Sequence, residues 1–434
     1  MKKYSFFVSM IALVLGLVAC NKTTQPEVTA VPEKDGMLFV SMSPVNSEST
    51  KADASVMTAM QADVRSIQVF VFSAENNASL GLVADEIETS KFVSGNTLIG
   101  TPTGAMATAN PIALTTYLGK KKVIALVNAP RQENITTLDN LLKRVSNLSE
   151  NYIIETDVSG IKRDGMVMAG AYGYNYTATS SGNGIDITPD ILEVNKKYDK
   201  KDDTSIHAID IPVYRLGARI EVGSVKVNFS DTDLNGKSFT IKDIKLKNVV
   251  NSVHFKGGNS DLLDTDTRWT MRLATTGANI GNYQDYSNVS VADKLQDIDL
   301  VIDCPSNNTS TAVNKSYIVY PNPCDDPTDL SGSNASTWSK RRTRLVIHAV
   351  IGGTENSYYS FSIADPANIV GGQDGTNGNF SSIVGNRRYI IDNINITMKG
   401  KPNDSDDMLP ATGRVSATIK VQDWAGETLL TYEF

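Results

Sequence analysis

Only three histidines and three cysteines occur among the 434 residues, so the side chains that most often bind transition metals or attack substrates are nearly absent. His207, His254 and His348 stand apart from one another; no H-E-x-x-H pair and no cysteine at ligand spacing accompanies them. His348 lies inside LVIHAV and reads as a hydrogen-bonded or strand-surface histidine. The loop Asp374–Asn379 (DGTNGN) spaces its oxygens like a calcium loop but lacks the distal acid, and Gly, Asn and Asp together are ordinary turn chemistry. Asp264 and Asp266 are the kind of carboxylates a glycosidase opposes, yet nothing in the chain sets them face to face. There is no G-x-S-x-G elbow, no P-loop and no G-x-G-x-x-G turn. The reading is of a chain without catalytic residues, metal or cofactor. Its 41 basic and 48 acidic side chains leave a net charge of −7 with no Lys/Arg-rich stripe, which argues against nucleic acid as a partner.

The third cysteine has a different chemistry. Lys2 and Lys3 precede an apolar run of 13 residues, Phe6 to Val18, too short for a bilayer span of about 20 residues. The run ends in Leu17-Val18-Ala19-Cys20, which resembles a bacterial lipobox, where the cysteine thiol takes up diacylglycerol. The plainer alternative is a secretory signal with an incidental cysteine. Residues 1–20 are thus expected to be a lipoprotein signal peptide, and acyl chains at Cys20 the only membrane attachment, since no later stretch approaches 18 apolar residues. Export also puts Cys304 and Cys324 outside the reducing cytosol. They are 20 residues apart, and a disulfide between them depends on a strand geometry that spacing alone does not set.

The elements that would carry any site are β-strands. With 41% hydrophobic and 21% charged residues, the chain is globular in composition and long enough for two or three domains at about 100–200 residues each. Short runs rich in β-branched and aromatic residues recur between Gly, Asn, Asp and Ser. The clearest are 66–72 (SIQVFVF), 122–128, 218–229 and 239–255, followed by 297–303, 316–320, 344–350, 358–363, 389–398 and 414–421. This spacing predicts β-sandwiches. One helix is expected over 137–148 (TLDNLLKRVSNL), with Leu138, Leu141, Leu142, Val145 and Leu148 on one face. A charged polar stretch at 195–204 precedes a boundary near 211–216, dividing the folded chain into domains 52–212 and 213–434.

Both ends of the mature chain carry clean two-residue alternation. Near the start, after a polar tether, 36–45 (GMLFVSMSPV) sets Leu38, Val40 and Met42 on one face. Lys51 follows it as the only basic residue between Lys34 and Arg65, in a polar loop. Near the end, a Pro/Gly/Asp-rich linker at 399–413 leads to Val415, Ala417, Ile419 and Val421, alternating with polar residues and followed by Trp424. By pattern alone each is an ordinary strand of its own domain.

Taken in order, these features resemble the FimA/Mfa-type major fimbrial subunits of the Bacteroidetes, the type V pilins. The resemblance rests on the lipobox cysteine, the first strand followed by a basic residue, SIQVFVF, Val127-Asn128-Ala129-Pro130, MVMAG at 166–170, Arg215-Leu216-Gly217-Ala218-Arg219, NRRYII at 386–391, and the terminal Ile419-Lys420-Val421-Gln422-Asp423-Trp424. It spans most of the chain through short, loose motifs. It implies an all-β fold of two transthyretin-like β-sandwich domains, with the short helix in the first. It implies a lipoprotein precursor at the outer membrane, lipidated at Cys20, whose tether, first strand and propeptide (21–51) are removed by a trypsin-like protease. The expected cut falls between Lys51 and Ala52, with Arg65 as the alternative; Lys51 departs from the arginine usual at this point in the family. Leu38, Val40 and Met42 are then the displaced strand, and 414–434, with Val415, Ala417, Ile419, Val421 and Trp424, is the donor strand of a neighbouring copy. Partners would be further copies in a head-to-tail polymer and minor fimbrial subunits, giving an adhesive cell-surface fimbrium. The alternatives are a minor anchor or accessory component and a surface glycan-binding lipoprotein; three tryptophans in the whole chain disfavour the latter.

Overall fold

The computed structural model describes residues 33–44, 61–62, 64–94, 111–147, 152–154, 163–176, 185–201, 207–259, 269–270, 272–273, 283–284, 295–303, 310–322, 343–363, 383–403, 415–423 and 426–433. Among them the chain is almost wholly β. The first part contains β1 (Gly36–Pro44), β2 (Ser66–Ser73), β3 (Ile87–Ser94), β4 (Ile112–Thr116), β5 (Gly119–Val127), the helix α1 (Leu138–Leu142), β6 (Val145–Asn147), β7 (Met168–Ala171), β8 (Leu192–Val194) and β9 (His207–Arg215). The second contains β10 (Ala218–Val227), β11 (Ser238–Lys247), β12 (Ser252–His254), β13 (Leu295–Asp303), β14 (Thr311–Val319), β15 (Arg344–Ile351), β16 (Glu355–Ser362), β17 (Arg387–Ile396), β18 (Val415–Asp423) and β19 (Gly426–Glu433). No described helix is long and apolar enough to cross a membrane.

The first sheet runs β3-β2-β5-β7-β9-β1-β4, with β8 added on β5. β2 is buried on both faces, which explains why SIQVFVF is apolar at most of its positions. Ile67, Val69 and Val71 join Leu38, Val40, Met42, Ile112, Leu114, Val123, Ile211 and Val213 in one core. For strands at opposite ends of the path to share that core, the sheet must curl over on itself. Its two outer strands meet through Lys91, whose Nζ lies 3.1 Å from the carbonyl oxygen of Ala113. Phe70, Phe72, Ile124 and Leu126 face the other way and pack with Leu138 and Leu141 of α1 and with Val250, Val253, Phe255 and Tyr320 of the second part.

Beyond Gly217 the chain leaves this sheet. A five-stranded sheet, β14-β10-β17-β18-β19, faces a four-stranded one, β13-β11-β15-β16, over a core that includes Ile220, Val222, Phe239, Ile241, Tyr317, Ile347, Tyr359 and Ile391. Two sheets closed on alternating inward side chains form a β-sandwich. Glycine is required where β7 closes on its neighbour β9: a Cβ on Gly170 of MVMAG would lie 2.1 Å from the carbonyl oxygen of Pro212.

The expected helix over 137–148 is shorter in the structure. Thr137 caps it by accepting from the amide of Asn140 at 3.1 Å, and Leu138 and Leu141 are buried, but it ends at Leu142. Val145–Asn147 instead pairs antiparallel with Ser252–His254, and Val145 is exposed. Ladder bonds to a distant strand override the helical period there. The expected run 239–255 likewise divides into β11, Val249–Val250 and β12.

Candidate functional site: the first strand and its groove

β1 is an inner strand, paired on both sides. Leu38 to Pro44 run parallel to His207 to Val213 of β9, and Gly36 to Val40 run antiparallel to Thr116 to Ile112 of β4. Neither neighbour is close in sequence, so a terminal segment fills a gap between two distant strands. Alternation sends Leu38 and Val40 inward at 0% exposure and Met42 at 2%, against Ile112, Leu114, Ile211 and Val213. Burying these three side chains contributes roughly 5–9 kcal/mol. On the other face Ser41 Oγ lies 3.2 Å from both the Ile209 carbonyl oxygen and Asp210 Oδ1.

The beginning of β1 is pinned by polar contacts. Lys34 Nζ donates to the Glu88 carbonyl oxygen, the Tyr198 amide donates to the Asp35 carbonyl oxygen at 2.7 Å, and the Asp35 carboxylate pairs with Lys197 at 2.7 Å. That hydrogen bond and the carboxylate charge raise the Lys197 ammonium above its ordinary pKa. Beside Gly36 lies a buried ionic cluster: Glu88 accepts from Lys121 Nζ at 2.8 Å and from the Thr116 hydroxyl at 2.6 Å. Such a pair, once made, is costly to break from one side.

Sequence reading missed the groove walls, β4 and β9. The signal was present: His207 to Val213 (HAIDIPV) alternates Ile209, Ile211 and Val213 with other residues. Its charged approach and Pro212 read more readily as a boundary.

The tail is also paired. β18 lies antiparallel to β17, Val415 opposite Ile396 and Val421 opposite Tyr389, and β19 folds back on β18 to form the sheet edge. The presumptive donor segment is therefore the outer hairpin of its own second sheet. Cys20, Lys51, Ala52, Asp264, Asp266, Cys304, Cys324, the loop 374–379 and Trp424 lie outside the described residues. Arg65 is exposed just ahead of β2, its amide donating to Asn128 Oδ1 at 2.8 Å. Two of the three histidines make structural contacts: His348 Nδ1 is 2.7 Å from Asp243 Oδ2 with its ring stacked on Tyr358, and His254 Nδ1 is 2.8 Å from the Lys143 carbonyl oxygen.

No family model and no curated protein matches the chain by sequence. Solved structures do match it. A fimbrilin (FimA) from Porphyromonas gingivalis W83 superposes with a TM-score of 0.52 at 13% identity, covering 91% of this chain and 100% of that one. The chain has the fimbrilin fold. A candidate cell adhesion protein from Parabacteroides distasonis ATCC 8503 superposes at 0.51 with 14% identity, covering 91% of this chain and 98% of its own. A second from the same strain gives 0.50 at 15% identity, covering 90% and 99%. The fimbrilin fold thus extends over nearly the whole of this chain at identities of 13–15%.

Proposed function

We propose that this chain is a structural subunit of a surface fimbrium, exported as a lipoprotein and assembled by exchange of strands between copies. The observation that carries this reading is β1: a strand near the start of the sequence, fully inserted between two distant strands, and followed in sequence by the polar stretch Asn46-Ser47-Glu48-Ser49-Thr50-Lys51. Cys20 takes the lipid and holds the precursor at the outer membrane. A trypsin-like protease cuts after Lys51, or after Arg65. The cut does not itself remove β1; it abolishes the tether whose high effective concentration kept the strand in place. Loss of β1 leaves the inner edges of β4 and β9 unpaired above an apolar groove. The tail of another copy, peeled from β17, satisfies both edges, and the contact repeats head to tail into a filament. Of the expected linker 399–413 only the part beyond Lys401 could serve as its leash, because Lys399 pairs with Glu355, the Gly400 amide donates to Ser357 Oγ and Lys401 pairs with Tyr358. Domains 52–212 and 213–434 would be the receiving and donating halves of each subunit, with minor fimbrial subunits at the ends.

Limited trypsin treatment of the purified full chain, followed by electron microscopy and N-terminal sequencing, tests this. Filaments whose chains begin at Ala52 are expected. Chains that polymerise while still beginning at Cys20 would rule out strand removal, and a start at Ser66 would move the cut to Arg65.

A further inference from the structure

Resting on the strand-exchange reading, we infer that the groove admits an incoming strand in a single direction and a single register, selected by a slot that only glycine fills. Gly36 is buried at the start of β1, and a Cβ placed on it would lie 2.9 Å from Val194 Cγ1, 3.1 Å from the Thr116 carbonyl oxygen and 3.4 Å from Thr116 Cγ2. This wall cannot retreat. Val194 and Thr116 are both 0% exposed, and Thr116 is held from behind by its 2.6 Å bond to Glu88, itself fixed by Lys121. The groove therefore asks for glycine and then apolar residues at the second, fourth and sixth positions after it, as in Gly36-x-Leu38-x-Val40-x-Met42.

The tail contains that pattern. Gly413-x-Val415-x-Ala417-x-Ile419 matches it position for position, with Arg414, Ser416 and Thr418 on the other face. Sliding the tail by two residues would drive the β-branched Val415 into the glycine slot. Reversing the strand requires glycine two residues after an alternating apolar triplet, and the tail has none: Val421 follows 415, 417 and 419, and Asp423 follows 417, 419 and 421. The alternative start at Gly426 would put Thr428 in the pocket of Leu38. The occupant is thus the segment 413–421 of a second copy, running in the direction of β1, parallel to β9, with Ser416 taking the place of Phe39 opposite Ala113.

The test mixes two forms of the full chain, both with Cys304 and Cys324 replaced by serine: one carries Ala113→Cys, the other Ser416→Cys. After trypsin treatment and mild oxidation, a disulfide between copies is expected for this pair and not for Ala113→Cys with Thr418→Cys. In parallel, Gly413→Val should lower polymer yield by about tenfold, the scale of one overpacked core site. Thr412→Val should leave yield unchanged, and the uncleaved variants should melt with wild type. Gly413→Ala should lose less, and Val194→Ala in the receiving copy should restore it by removing the methyl that the new Cβ meets. Cross-linking through Thr418, or Gly413→Val assembling like wild type, would overturn the register while leaving strand exchange standing. A cleaved wild-type chain that forms no polymer would overturn strand exchange, and the register with it.

Discussion

Leu38 is the side chain on which the proposed exchange would bear most directly. It is fully buried between β4 and β9, so Leu38→Ala should lower the stability of the intact chain by about 2–5 kcal/mol, read as a reduced denaturation midpoint. If β1 departs on assembly, the same substitution leaves the filament unchanged and speeds exchange; a filament destabilised to the same extent would mean that β1 stays. Lys51→Ala should block assembly while folding and lipidation persist, checked by electron microscopy beside palmitate labelling. Removal of residues 1–51, with five lysines and four acids, shifts the net charge from −7 to −8, a change native gels can follow. Cys20→Ala should abolish palmitate uptake, and a wild-type chain that takes up none would exclude the lipoprotein route. Ala417→Val would restore the volume of Val40 in the proposed register, gaining about 1–2 kcal/mol at roughly 0.8 per methylene buried, measurable as slower filament dissociation in denaturant.

Among the elements, the terminal hairpin forms one edge of its sheet. β18 pairs with β17 on one side and with β19 on the other, and β19 has nothing beyond it in the sheet. Deleting residues 414–434 should leave a cooperatively melting chain that no longer polymerises; loss of the cooperative transition would make the hairpin an indispensable part of its own sheet. β2 was read as 66–72 and is Ser66–Ser73 because both its faces are buried, giving a run apolar at most of its positions. β17 was found within two residues for a similar reason, burial along most of its length, and β18 from its two-residue alternation in sequence. β4 and β9 were overlooked because their identity as groove walls comes from pairing with β1, far off in sequence, and the alternation of Ile209, Ile211 and Val213 does not tell which strand it meets. The helix over 137–148 was overextended because Val145 fits a helical period, while the ladder to Ser252–His254 that claims it lies about a hundred residues on. Gly36 looked like a strand boundary; only the 2.9 Å approach of Val194 gives it a further meaning.

At the scale of the whole molecule, the two parts of the chain share a core. Tyr320 meets Ser146 at 2.8 Å between side-chain oxygens, and the Phe255 amide donates to the Arg144 carbonyl oxygen at 2.9 Å. Near this junction Tyr174 and Tyr176 stand edge-on to Tyr214 with ring centroids 5.7 and 5.8 Å apart. Burial pushes the Tyr174 hydroxyl from 10.0 up to about 12, and burial raises Tyr214 as well. A folded-state pKa raised this way favours the native state fully below pH 10 and loses that advantage as the pH climbs toward 12. Tyrosinate absorbance should therefore show a late-titrating class whose ionisation accompanies unfolding; tyrosines that all titrate together at their ordinary pKa, with the fold intact, would contradict the buried cluster. The pairing of β1 with β9 carries one more consequence, in the order of events during synthesis. Leu38 can pair with Leu114 of β4 about 76 residues on, but its parallel ladder must wait for His207, about 170 residues later. β1 is thus made well before the strand that completes its pairing, and such distant closures are slow. Until β9 follows, a newly made chain holds β1 paired on one side only, and the proposed assembly would present that half-built groove a second time.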